Sequence, residues 1–219
     1  MTSERQISDR RHERSRRSRA AMAAAALDLL LERGLPAFTV EEIAARAGVT
    51  RRTFSRHFID RADAVLDHIR SDGHRINRAL RERPAGESLL TAYDRATALG
   101  FRDIGPELDW ARRHALFRAI DHEPTLFAAY QRIRVDAQEE SVRILAERIG
   151  VDPDVDPRPA VAVGIGAGTL TAALTAWGRE HDPASLPTVL RMYFDSLGAL
   201  LPPEPPHIID RTSGKDESS

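Results

Sequence analysis

Between Thr39 and Phe58 the chain carries two helix-start signals on either side of one glycine, and this arrangement limits the fold more than any other feature. Thr39 and Glu42 form a T-x-x-E capping box, in which hydroxyl and carboxylate each take up a backbone N–H left free at a helix start. The helix they open runs through Ile43, Ala44 and Ala47. Gly48 ends it, because glycine adopts the left-handed backbone that a sharp turn requires. After Val49, Thr50 caps another short helix that ends near His57 or Phe58. Two capped helices joined by Ala-Gly-Val make a helix-turn-helix. Ile43, Ala44, Ala47, Val49, Phe54 and Phe58 would form its small core. Arg51, Arg52, Thr53, Ser55 and His57 are then left on the outer side of the second helix. A helix of this kind fits the DNA major groove, with its first residues directed at base edges and phosphates. The Thr39 and Thr50 hydroxyls and the arginines suit phosphate oxygens. The plainer reading is a three-helix subdomain whose arginine-rich face is only solvated.

The remainder is helical in period. From Arg17, residues Ala21, Ala24, Ala25, Leu27, Leu30 and Leu31 fall near one face, and Arg33-Gly34 closes the segment. Residues 1–16 read as a flexible Arg-rich arm, with seven arginines by position 19. Such an arm would follow the minor groove or phosphates, or simply stay solvated. Asp60 caps the next helix, with Asp63 in its first turn. Helical stretches recur over 61–81, 87–102, 107–121, 124–149, 158–180 and 184–201, divided by proline and glycine breaks. No segment alternates with period two. The expectation is an all-α chain of about nine helices. Its units are the arm, a helix-turn-helix domain over 17–60, a helical ligand-binding and dimerisation domain over 61–201, and a disordered tail over 202–219.

Charge divides along the same line. Residues 1–61 have a net charge of +5 and the other residues −6, although the whole chain of 219 residues is nearly neutral at −1. A basic first quarter before an acidic remainder suggests a polyanion-binding module joined to something else. With no cysteine, thiolate metal sites and cysteine nucleophiles are excluded. His68 and His74 are wrongly spaced to share a metal on one helix face. No nucleophile elbow, phosphate loop or zinc-protease motif is present. Neither an enzyme, a cofactor nor a metal is expected. Residues 159–178 carry no charge over a membrane-spanning length, but they consist mainly of Ala, Gly and Thr, so no membrane partner is expected.

Over residues 20–66 the pattern F-T-V-E-E-I-A-x-x-A-G-V-T-x-x-T-F-x-x-x-F resembles the tetracycline-repressor (TetR) family. The resemblance implies that the second helix of the motif is the recognition helix, and that Arg61 opens the linking helix with a phosphate contact. Ser55 departs from the pattern, standing where a large aromatic is common. Asp60 departs too, where a neutral or basic residue is usual. The resemblance further implies an inducer pocket in the C-terminal domain and dimerisation through the last two long helices. Phe101, Trp110, His114, Phe117, Phe127, Tyr130 and Trp177 would line that pocket, or else be ordinary core residues. Arg112-Arg113-His114 through Arg118, followed by Glu123-Pro124-Thr125-Leu126, is similar to regulators that respond to acyl-CoA or other lipophilic metabolites. Arg118 or Arg134 would then face an anionic head group, or pair on the surface. Ala160, Gly164, Gly168, Ala172 and Ala176 form a small-residue stripe that suits a dimer helix. A dinucleotide loop fails there, because Thr169 breaks the fingerprint. The expected protein is a cytoplasmic homodimer that binds an inverted-repeat operator in double-stranded DNA and is released by a small-molecule effector. The alternative is a ligand-insensitive dimeric DNA-binding or architectural protein.

Overall fold

The computed structural model describes residues 2–102 and 109–200, with residues 2–10 described by backbone alone. The helices are α1 (Thr2–Arg33), α2 (Val40–Arg46), α3 (Arg51–Phe54), α4 (Arg61–Val65), α5 (Asp67–Arg81), α6 (Leu89–Arg102), α7 (Trp110–His122), α8 (Pro124–Ile149), α9 (Arg158–Trp177) and α10 (Leu186–Leu200). Short 3-10 turns occupy Leu35–Ala37 and Pro183–Ser185. The described residues contain no strand. The expected tail from 202 lies outside them.

Three expectations need correction. Residues 2–16 are helical and continue α1 without a break. That segment has no proline or glycine and is rich in Arg, a good helix former. Arg17 also pairs with Glu13 one turn before it. Second, the helix expected over 61–81 divides at Leu66, whose backbone (φ −88, ψ 8) leaves the helical region. Leu66 is fully buried, while the next side chain, Asp67, is drawn to Arg19 of α1 at 2.6 Å. Among the described residues this makes ten α-helices, close to the expected nine or so. Third, α3 ends at Phe54, and the chain continues to Phe58 in turns.

The buried face of α1 is also wider than one stripe. Met22, Ala23, Ala25, Ala26, Leu27, Leu29 and Leu30 are buried, whereas Ala21 and Leu31 are exposed. The helix is covered on several sides, because it contacts α2, α4 and α7.

The larger helical layer is built on α5 and α9. Helix α5 packs against α6 and α8, and α9 packs against α6, α8 and α10. Gly100 and Gly166 allow two of these approaches. A Cβ at Gly100 would collide with Ile76 of α5, and one at Gly166 with the ring of Tyr93 on α6. Among the described residues α9 is the one helix long and apolar enough to cross a membrane, and 39% of its most apolar window is buried against its neighbours.

Candidate nucleic-acid interface and effector cavity

The reading head is assembled from local signals. The Thr39 hydroxyl accepts from the Glu42 amide at 3.2 Å, and the Glu42 carboxylate accepts from the Thr39 amide at 2.8 Å. Gly48 turns the chain with φ 67. The Thr50 hydroxyl then accepts from the Thr53 amide at 3.2 Å. Phe54 and Phe58 sink into the core with their ring centroids 5.5 Å apart. Burying these two rings fixes which face of the segment meets solvent: Arg51, Arg52, Ser55 and Arg56 are exposed, and Thr53 and His57 are half-buried.

The electrostatics of that face are uneven. Arg51 pairs with Glu41 at 3.1 Å. Arg52 and Arg56 have no partner among the described residues and keep their charge available. Burial, then the nearby Arg19 and Arg56, pushes the His57 pKa below its usual value of 6.5, so its ring is neutral at pH 7. Arg61 donates to the Phe38 carbonyl and lies 5.8 Å over the Phe38 ring, so it clamps the linker before α2. The Thr39 hydroxyl is likewise engaged with Glu42 on both its donor and acceptor sides.

Arg19 joins the head to the larger helical layer. Its guanidinium donates to Asp67 (Nε, 3.0 Å) and to the His57 carbonyl (3.2 Å), and sits 4.7 Å over the Phe58 ring. Arg70 bridges Asp63 and Asp67. The end of the motif and the start of α5 are thus tied to the same α1 side chain.

A cavity of about 70 Å³ lies between α5, α6, α7, α8 and α9. Its apolar wall includes Ile76, Phe101, Phe117 and Leu174, and its polar wall includes Asp72, Asn77, Ser141 and Arg134. Burial pushes the phenols of Tyr93 and Tyr130, which also line it, up to about 12; both stay protonated. Asp72 is held by Arg113, which is only 2% exposed, through a 3.1 Å bond to one oxygen and a closer one to the other. Such a volume holds a few waters, well below the several hundred Å³ of a typical ligand pocket.

Residues 23–66 match the model for bacterial regulatory proteins of the tetR family, and residues 87–202 match that for the MftR C-terminal domain. The HTH-type transcriptional regulator TcmR of Streptomyces glaucescens is 37% identical over 153 residues, 68% of each chain. The chain belongs to the TetR family. Its fold is similar to that of a TetR-family regulator from Syntrophomonas wolfei (TM-score 0.56, 18% identity, covering 84% of this chain and 96% of that one). A second such regulator, from a Rhodococcus species, aligns with TM-score 0.50 and 19% identity over 82% and 97% of the two chains. As a TetR-family member the protein is a DNA-binding transcriptional regulator and not an enzyme.

Within this TetR-family frame the candidate pocket residues divide. Phe101, Phe117, Tyr130 and Arg134 meet at the cavity. Phe127 is 47% exposed and borders a neighbouring pocket that shares Phe117, Tyr130 and Arg134 with this cavity. Trp110 joins Phe101 at a separate cavity beside α10. His114 and Trp177 do not line the pocket: they pack edge to face at 5.0 Å, and His114 Nε2 meets the Trp177 carbonyl at 3.1 Å. The Trp177 indole donates to the Pro183 carbonyl, so its polar edge is satisfied inside the core. Arg118 is exposed and away from the cavity lining, whereas Arg134 donates to Thr171 at its wall. Sequence reasoning missed Asp72, Asn77, Tyr93 and Ser141. The one usable signal was Gly166, a small residue placed where an aromatic ring approaches.

Proposed function

We propose that the protein is a homodimeric repressor that acts in the cytoplasm, reads an inverted repeat, and leaves its operator when a small molecule enters the α5–α9 cavity. The observation that carries the DNA reading is the unpaired, exposed guanidinium of Arg52 on a face fixed by the burial of Phe54 and Phe58. Arg51, Thr53, Ser55 and His57 accompany it, and Arg56 joins them. Thr39, Thr50 and Arg61 would meet the backbone, with Arg61 changing partner from the Phe38 carbonyl to a phosphate. One turn of helix reads too few base pairs for useful selectivity, so two copies are required. The pairing surface is the outer side of α9 and α10, where Val161, Ile165 and Met192 are exposed beside Gly164 and Gly168.

The cavity favours a ligand-responsive regulator over a DNA-binding protein that only dimerises. It is mainly apolar with Arg134 at its edge, which suits a lipophilic or acyl-CoA-like effector with an anionic group. Its small volume means that an effector must part α5 from its neighbours. Because Asp67 at the start of α5 is bonded to Arg19, that movement reaches the reading head. A ligand that prefers the parted state lowers DNA affinity by its differential affinity for the two states.

Fluorescence anisotropy with DNA from upstream of the protein's own gene tests the reading, at several salt concentrations and against scrambled DNA. Selective binding with a steep salt slope supports a specific regulator. Equal binding to both DNAs leaves only DNA binding without sequence choice at that site.

A further inference from the structure

A second cavity of about 490 Å³ lies between α6, the start of α7 and α10. It is several times larger than the cavity between α5 and α9, and Phe101 is a wall of both. Trp110 and Phe194 supply further aromatic surface. Two carboxylates stand at its edge, Asp94 on α6 and Asp195 on α10. Neither has an ion pair or hydrogen bond among the described residues, where most carboxylates do. Burial, then the nearby Asp195 charge, raises the Asp94 pKa, and Arg95 offsets this only in part. The other charged groups lining the cavity are Arg102, which has an interaction of its own, and Arg191, which pairs with neither carboxylate.

An independent feature also points to an occupant. Thr97 lines the same cavity, is fully buried, and its hydroxyl has no hydrogen-bond partner. A buried hydroxyl without a partner is unfavourable unless something else supplies the bond. Aromatic walls, an unpaired carboxylate couple and an unsatisfied hydroxyl are together complementary to one kind of molecule.

We propose that this cavity is a second small-molecule site, taking a flat or compact lipophilic organic cation. Its body would lie against Trp110 and Phe194, its positive group between Asp94 and Asp195, and a polar substituent against Thr97. The site stands apart from the effector cavity, so its test does not depend on how that cavity is used. Through Phe101, an occupant here would bear on the wall of the first cavity.

The test is a fluorescence titration of the full-length, DNA-free protein with proflavine, an aromatic cation bearing two amino groups. Saturable binding of one proflavine per chain is expected. The double variant D94N/D195N should weaken it about tenfold or more, and Thr97→Val a few-fold. The carboxylates are at least partly exposed, so the variants should fold, and unchanged thermal melting checks this. Absence of saturable binding up to about 1 mM overturns the proposal. So does binding that is unchanged in a folded D94N/D195N protein, which would place the dye elsewhere.

Discussion

Arg113 of α7 and Asp72 of α5 form an ion pair away from solvent, with side chains 2% and 6% exposed. Arg75 also pairs with Asp72, and the Arg113 guanidinium lies 5.8 Å over the Phe101 ring. One carboxylate thereby fixes two arginines, lines the α5–α9 cavity, and ties α7 to α5.

Arg113→Ala should therefore destabilise the protein, by less than the about 3–5 kcal/mol of a buried charge left with no partner, because Arg75 still pairs with Asp72. Urea denaturation measures this. Exchanging both partners together for apolar residues of similar volume should recover much of the loss, since the desolvation of two charges disappears with them.

Arg52→Ala should reduce operator affinity by about 1–3 kcal/mol if the side chain reads a base, with relaxed selectivity at one position, or lower the salt slope by about one if it meets phosphate. Anisotropy across salt concentrations separates the two outcomes. A loss no greater than for Arg179→Ala, an exposed arginine far along the chain, would sink the proposed role.

Two glycines on α9 should behave in opposite ways. Gly166→Ala drives a methyl group into the Tyr93 ring and should lower stability by about 1–3 kcal/mol, as overpacking does. Gly164 has nothing within 4 Å of a Cβ, so Gly164→Leu should leave the folded chain intact. If α9 pairs with its copy, that variant becomes monomeric in light scattering; a dimer that survives contradicts the proposed interface.

Glu87 is bonded to Arg83 and Arg95, and these partners hold its carboxyl at about 2, below its ordinary 4.5. The folded form is the stronger acid, so the contribution is complete above about 4.5 and is lost as pH falls toward 2. Acid unfolding of Glu87→Gln should show a shallower slope than the wild type within that window.

The reading head was legible because its determinants are short-range. Capping by Thr39, Thr50 and Asp60 involves a residue three positions away, and the turn at Gly48 depends on that residue alone. Nothing comparable announces the cavity. Asp72 meets Arg113 across 41 positions, and Asn77 meets Ser141 across 64. Large aromatics on α7 and α9 were candidates for a lining, but His114 and Trp177 pack against each other in the core, where the Trp177 indole is satisfied by the Pro183 carbonyl. The division at Leu66 was equally hidden, since the pull on Asp67 comes from an arginine 48 positions earlier.

Helix α7 carries Arg112 directly before Arg113. The first pairs with Asp28 on α1, and the second with Asp72 on α5. Successive side chains leave a helix about 100° apart, so the two grips act on different sides of one cylinder. Rolling α7 about its long axis would have to break one grip or the other, so two neighbouring arginines key the helix against rotation from two directions.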